Sequence, residues 1–340
     1  MVNIQHNVPL EEFNTFGIAV RAKAYVDVRN EEDLSELISK NLLPDLDRMI
    51  LGGGSNVLFT QDFDGLLIHL GIAGKKVVEE SEHEVVLEVG AGENWHGLVL
   101  HCIAQDWGGI ENLSLIPGKV GAAPLQNIGA YGVELKDVFE YLDFMYLDSG
   151  EVRRFCAEDC QFGYRDSIFK RELKGKVVVL RVALRLRKQN HQINTSYGAI
   201  GKELEARGIS EPSIRDISEV VIAIRQSKLP DPAVIGNGGS FFKNPELPLS
   251  EFERLRVDYP DLPGYVVSET VMKVPAAWLI DRAGWKGKRF GNYGVHDRQA
   301  LVLVNHGGAQ GQDIYDLSEE ILQSVLKKYG VRLEREVNVI

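Results

Sequence analysis

Three side chains in this chain have the type and setting to move a proton or hold an anion. Ser240 lies in GNGGSFFKNP at 236–245, after two glycines and before two aromatics. A serine on such a bend can act as proton donor or nucleophile. The string is not the GxSxG nucleophile elbow, and the ordinary alternative is a turn serine. Arg165, in YRDS at 164–167, is a fixed cation suited to a carboxylate or phosphate, or else to a surface ion pair with Asp166. Glu336, in LEREV at 333–337, falls on the polar side of an alternating stretch. Val331, Leu333, Arg335, Val337 and Val339 share one face, and Glu334, Glu336 and Asn338 share the other. Pattern alone predicts a solvated acid there. Lys228, Tyr265 and Lys273 flank the same half and could hold phosphates, although each alone reads as surface.

Two runs of small residues point to a ligand gripped by main chain. IPGKVGAAPLQNIGAYG at 116–132 contains no acid, an odd composition for a loop. LGGGSN at 51–56 follows the apolar pair Met49-Ile50. Small residues in series let a backbone come close to something flat or anionic. Their N–H groups can form an anion-binding concavity without help from side chains. Two such segments suggest a large phosphate-bearing cofactor; the alternative is a pair of tight turns packed on their neighbours. Neither run is GxGxxG, and no GxxxxGK[ST] occurs, which disfavours a Rossmann domain or an NTPase.

The elements that must position these residues alternate irregularly. Residues 24–28 read as a strand, followed by a helix capped by Asn30 with Glu31, Glu32 and Asp33 in its first turn. Leu34, Leu37 and Ile38 form its apolar stripe, and this small unit ends near residue 72. A hairpin is expected at 76–90, then a helix at 93–107 with Trp95, Leu98, Val99, Cys102, Ile103 and Trp107 on one face and Gly108 as its stop. Strands follow at 139–147 and 151–155, joined at Asp148-Ser149-Gly150, and at 177–187. A helix at 216–227 buries Ile217, Val220, Val221 and Ile224. The Pro- and Gly-rich segment 228–239 reads as a domain junction. Helices near 275–284 and 313–329, the second ended by Gly330, precede a closing strand over 331–340. Such interleaving predicts an α+β class.

The totals exclude several functions. With 340 residues, two or three domains are expected, and 44 % apolar with 26 % charged residues suits a globular enzyme. Lys and Arg number 38 against 49 Asp and Glu, a net charge of −11, so a nucleic-acid partner is not expected. Three cysteines, Cys102, Cys156 and Cys160, argue for reduced thiols and a cytoplasmic location. The eight histidines lack ligand spacing, so no metal is expected. The first residues lack a signal-peptide pattern, and no apolar run approaches the about 20 residues needed to span a bilayer.

Taken in order, NTFG at 14–17, GGGSN at 52–56, the 116–132 run, YRDS, GNGGSFFKNP and LEREV closely resemble the UDP-N-acetylenolpyruvoylglucosamine reductase (MurB) family. SYG at 196–198 and the length of 246–275 resemble its type I branch, with a substrate-covering tyrosine loop. The resemblance spans nearly the whole chain. It implies a two-part FAD-binding fold of the vanillyl-alcohol-oxidase (PCMH) type plus a C-terminal α+β substrate-binding domain. The implied division is 1–72 joined by 331–340, then 73–226, then 227–330. The implied activity uses NADPH to reduce non-covalently bound FAD, which reduces the enolpyruvyl ether of UDP-N-acetylglucosamine to UDP-N-acetylmuramate for peptidoglycan synthesis.

By position, the resemblance makes Ser240 the proton donor and Arg165 and Glu336 its catalytic companions. Gly52, Gly53, Gly54, Ser55 and Asn56, with Pro117, Gly118, Gly121, Ala123, Asn127, Gly129 and Tyr131, would cradle FAD. Tyr197, Lys228, Asn244, Tyr265 and Lys273 would bind the UDP-sugar. A monomer with no membrane or nucleic-acid partner is expected. Lys119 and Gly239 depart from the family pattern, which usually has a small residue and alanine there. The alternative is an FAD-dependent alcohol oxidase or dehydrogenase of the same fold. Many such relatives attach flavin to a histidine beside the glycine turn, and here that position is Ser55.

Overall fold

The computed structural model describes residues 2–340, which cluster into two compact units. The first comprises residues 2–8, Ala22–Gly53 and Asp64–Ser227; the second comprises Pro9–Arg21, Gly54–Phe63 and the chain from Lys228 onward. The boundary therefore cuts the glycine turn between Gly53 and Gly54.

Two sheets build the first unit. One runs in the order Ile4–Pro9, Arg21–Val28, Phe63–Leu70, Asp47–Leu51, with its last two strands parallel. The helix Glu31–Ser39 joins it; the Asn30 carboxamide accepts from the Asp33 amide 2.8 Å away, as its sequence predicts. The other sheet is antiparallel, in the order Val152–Phe155, Phe139–Tyr146, Val177–Arg187, Glu84–Gly90, Lys75–Glu80. Its centre, VVVLRVALRLR, is apolar on both sides for a reason. Val178 and Leu180 pack with Ala24, Val26, Leu34 and Leu66, whereas Val179, Val182 and Leu184 pack with Trp95, Leu98 and Leu113. A strand buried on both faces loses the usual alternation. Each such buried side chain contributes about 1.5–3 kcal/mol.

The helix expected at 93–107 spans only Trp95–Ala104. Asn94 caps its start through the Gly97 amide, and Asp106 at φ 58° ends it before Gly108. Two helices escape the periodicity reading, Gly198–Ala206 and Leu249–Asp258.

In the second unit a sheet runs Gly236–Ser240, Val302–Asn305, Tyr293–Val295, Arg289–Phe290, and the helix Gly311–Tyr329 packs with it. Gly330 at φ 75° closes that helix, as expected. The segment 228–239 is a junction only in part, because its end is already a strand. The expected strand over 331–340 is a ladder only at Asn338–Val339, parallel to Val57–Leu58, with a single bridge between Phe242 and Arg335. Among the described residues no helix is long and apolar enough to cross a membrane.

Cysteine chemistry offers a check on this packing. Burial pushes the Cys102 and Cys160 thiols up to about 12. Cys156 is exposed, but its thiol donates to the Asp159 carboxylate at 3.0 Å, which raises its pKa as well. The thiolate is the nucleophile. A thiol reagent at pH 8 should therefore label one cysteine in the native chain, more slowly than free cysteine, and three after unfolding. Rapid labelling of two or more native thiols would contradict these burials.

Candidate active site

In the first unit the two small-residue runs meet. A Cβ on Gly53 would lie 3.0 Å from the Gly118 Cα, and one on Gly52 would lie 3.4 Å from the Lys119 Cβ. At Gly53 a side chain would have to push the Gly118 backbone aside, so glycine keeps the two runs close. Among the described residues, no acceptor takes the Gly52 or Gly53 amide. Further along, the loop is more self-supporting than its composition suggests. The amides of Val120, Gly121, Ala122 and Ala123 bond to carbonyls of Glu93, Ala91, Lys119 and Val120. Gly121 is required because a Cβ would meet the Ala91 Cβ at 2.5 Å. Pro117 is exposed, and Ala123 is buried.

The Asn127 side chain holds the loop. Its left-handed backbone (φ 41°) is buried, and its Nδ2 donates to Glu134 Oε2 (2.9 Å) and the Gly163 carbonyl (3.1 Å). Its Oδ1 accepts from the Lys136 amide at 3.1 Å. The same stretch anchors the YRDS turn. Ser167 Oγ donates to the Leu125 carbonyl at 2.6 Å. Arg165 Nη2 donates to the Gly129 carbonyl at 2.5 Å, and Nη1 reaches the Asn127 carbonyl at 3.5 Å. A Cβ on Gly129 would sit 3.2 Å from Arg165 Nη1, so this glycine makes room for the guanidinium. Asp166, the partner that sequence offered to Arg165, bonds to Arg171. Tyr131, also left-handed (φ 51°), stacks edge-on with Tyr197 at 5.1 Å between ring centroids; Tyr197 is 43 % exposed.

The second unit brings Ser240 beside Glu336. The register against Val302–Asn305 slips between Asn237 and Ser240, so one extra residue bulges at Gly238-Gly239. Bulges re-aim the side chain that follows them. Gly239 sits at φ 71° with open space around it, while a Cβ on Gly238 would strike the Phe16 ring at 2.6 Å. Phe16 belongs to NTFG, whose Thr15 Oγ1 also donates to the Asn237 carbonyl at 2.7 Å. That motif therefore supports the bend. Ser240 is half-buried, and its Oγ bonds to none of the described residues.

Past the serine, the Glu336 amide donates to the Phe241 carbonyl at 2.8 Å, and the Lys243 amide to the Glu334 carbonyl at 2.9 Å. Asn56, from the glycine turn, donates through Nδ2 to the Glu336 carbonyl at 3.2 Å, and its own carbonyl accepts from the Asn338 amide at 3.1 Å. The fully solvated acid expected from alternation is thereby corrected. Glu334 and Asn338 are exposed, but Glu336 is half-buried, with its amide bonded to Phe241 and its carbonyl to Asn56.

The remaining candidates are arranged as follows. Lys273 pairs with Tyr265 on one neighbouring strand and with Glu246 on the other, and its Nζ lies 3.3 Å from Glu246 Oε1. Tyr265 is 59 % exposed on the sheet edge. Asn244 Oδ1 accepts from the Ala276 amide at 3.0 Å, capping the helix Ala276–Arg282. Lys228 is exposed at the end of Ile214–Lys228. Gly54, Ser55 and Asn56 belong to the second unit; a Cβ on Gly54 would strike the Phe13 carbonyl oxygen at 2.0 Å.

Residues 231–340 match the model of the UDP-N-acetylenolpyruvoylglucosamine reductase C-terminal domain, and residues 22–155 match an FAD binding domain. A Flavobacterium johnsoniae protein named UDP-N-acetylenolpyruvoylglucosamine reductase is 50 % identical over 339 residues, covering 100 % of both chains. A Pseudomonas aeruginosa protein of the same name is 46 % identical, covering 99 % of each. The fold matches the crystal structure of the Thermus caldophilus enzyme of that name with TM-score 0.69 and 22 % identity, over 100 % of this chain and 99 % of that one. The chain belongs to the UDP-N-acetylenolpyruvoylglucosamine reductase family.

Proposed function

We propose that this protein reduces the enolpyruvyl ether of UDP-N-acetylglucosamine to UDP-N-acetylmuramate, with NADPH as reductant and non-covalent FAD as carrier. The observation that carries this reading is identity of 50 % over the whole chain to a reductase of that name, together with the FAD binding domain match. The residues present fit FAD. The Gly52 and Gly53 amides have no acceptor among the described residues, and a Cβ on Gly53 would press on the Gly118 backbone at 3.0 Å. Such amides suit a pyrophosphate. Ser55 offers no imidazole for a covalent flavin link, which favours the reductase over the alcohol oxidase of the same fold.

Bound FAD supplies the redox chemistry between NADPH and the substrate's double bond. The chain's own residues manage charge and protons. Reduction of an enolpyruvyl group drives negative charge onto the adjacent carboxylate. Arg165 is the fixed cation for that charge; its guanidinium is already oriented by the Asn127 and Gly129 carbonyls, so no reorganisation is needed during reaction. Glu336, protonated, supplies a hydrogen bond to the same charge. Ser240 then gives its hydroxyl proton to the carbanion carbon; placement counts for more there than a matched pKa. Lys228, Lys273, Tyr265, Asn244 and Tyr197 hold the UDP-sugar. Segments 1–72 with 331–340 and 73–226 serve FAD, and 227–330 serves the substrate. The protein acts as a cytoplasmic monomer without nucleic-acid partners, in keeping with a net charge of −11.

The test is colour. Purified protein should be yellow, bleach when NADPH is added without oxygen, and regain colour on addition of the enolpyruvyl substrate. Acid precipitation should leave flavin in the supernatant. Protein that binds flavin but is not reoxidised by this substrate would defeat the substrate assignment.

A further inference from the structure

Asn112 takes no part in the roles above, yet its side chain joins two segments that do. It lies in the buried turn Glu111–Leu113. Three bonds fix this turn to the helices Trp95–Ala104 and Ile214–Lys228. Trp95 Nε1 donates to the Leu113 carbonyl at 3.0 Å, the Leu115 amide donates to His96 Nδ1 at 3.0 Å, and Ser114 Oγ shares a 2.8 Å hydrogen bond with Ser218 Oγ. From that platform Asn112 Nδ2 donates to two carbonyls, those of Tyr131 and Asn194, each at 3.0 Å. The first belongs to the 116–132 loop, and the second lies three residues before Tyr197. Both neighbours can only accept, which sets the orientation of the amide. Its Oδ1 is left sealed from solvent with no partner among the described residues. An unpaired buried acceptor is costly, and leucine would fill the same space without one. What leucine lacks is a nitrogen carrying two donors.

Asn194 completes the tie. Its Nδ2 donates to the Gly132 carbonyl at 3.0 Å, and its Oδ1 accepts from the Ser196 amide at 3.0 Å and from the Ser196 hydroxyl at 2.6 Å. Gly132, at φ 82°, sits against this group; a Cβ there would lie 3.0 Å from Ser196 Oγ. Residues 191–196 form no helix or strand. The chain around them is anchored by Ile193, which packs against the apolar cluster of Ile217 and Val221, and by Ile200, buried in the helix Gly198–Ala206. Between these anchors the two asparagines set the path of the chain, and Tyr197 comes to lie edge-on against Tyr131. Tyr131 has a left-handed backbone (φ 51°) that side chains of its kind avoid, and the Asn112 bond helps to hold its carbonyl there.

We propose that Asn112 and Asn194 are positioning residues for the substrate: they clamp the chain leading to Tyr197 onto residues 131 and 132, and so hold that tyrosine where it grips the UDP-sugar. The proposal rests on the reading of Tyr197 as a substrate-binding group. Neither asparagine touches the substrate; both act through the tyrosine. Without the clamp the tyrosine spends part of its time misplaced, and apparent affinity falls by that fraction. The chemical step that follows binding does not need the clamp.

The experiment is a double-mutant cycle on holoenzyme. Binding of the enolpyruvyl substrate is read from perturbation of the oxidised flavin spectrum. Asn112→Leu and Asn194→Ala are each made in wild type and in Tyr197→Ala. In wild type each should weaken binding roughly 5- to 30-fold, the scale of one or two net hydrogen bonds. In the Tyr197→Ala background each should cost less than about 2-fold, because nothing is left to position. Reoxidation of reduced flavin at saturating substrate should keep its wild-type rate in both single variants. Equal losses of affinity in the two backgrounds, or slower reoxidation at saturation, would mean that the asparagines only maintain the fold, and would overturn the proposal. Wild-type affinity in either single variant would overturn it too. Unchanged affinity in Tyr197→Ala itself would instead defeat the reading of the tyrosine, and the clamp with it. Asn194 is only half-buried, and its side chain can be removed with the Asn112 bonds to main chain left in place. Asn194→Ala therefore carries the cycle if Asn112→Leu fails to fold.

Discussion

Ser240→Ala is expected to leave flavin reduction by NADPH nearly intact while slowing reoxidation by the enolpyruvyl substrate roughly 10² to 10⁴-fold, the usual scale for a lost general acid. The two half-reactions separate because only the second protonates a substrate carbon. The structure gives the variant little reason to misfold. Ser240 Oγ bonds to none of the described residues, and the bend before it is maintained by Gly238 against Phe16 and by Asn237, whose Oδ1 accepts from the Gly239 amide at 2.9 Å. Stopped-flow absorbance under anaerobic conditions measures each half-reaction. Equal slowing of both would mean that the serine maintains the bend and gives no proton.

Glu336→Ala should lose on the order of 10² to 10³-fold in turnover, the cost of removing one donor from a developing oxyanion. Glu336→Gln keeps a donor and the shape, so it should retain more activity than the alanine form. Thermal stability should change little in both. The bonds that hold this segment use the Glu336 main chain: its amide to Phe241 and its carbonyl from Asn56. Wild-type turnover by Glu336→Ala would return the residue to a passive strand position. The conflict between its alternation pattern and its half-buried setting makes this the sharper of the two tests.

Much of the local structure was legible before any coordinates. Asn30 starts a helix and Gly330 ends one, because a side chain three residues away or a left-handed backbone settles such ends. The apolar run at 177–187 is a strand because β-branched residues fit a pleated surface. Its burial on both faces depended on which sheets and helices came to lie on it. The short helix Leu249–Asp258 was missed because only Phe252 and Leu255 are buried on it, too few to mark a period.

The site divides along the same line. The motifs that carry the family resemblance, and through them the reaction, were determined by the sequence itself. They are contiguous strings in which glycines, a serine and charged groups stand at fixed short spacings. Tertiary structure alone decided how they are used. The Asn56–Glu336 bond joins residues 280 apart, and the bulge that re-aims Ser240 exists because Gly238 must clear Phe16, far away in sequence. Only the fold shows that the side chain of Asn127, a residue expected in the cofactor cradle, pins its own loop. Short-range hydrogen bonds and steric limits are written into neighbouring residues, whereas desolvation and long-range pairing depend on which surfaces meet when the chain folds.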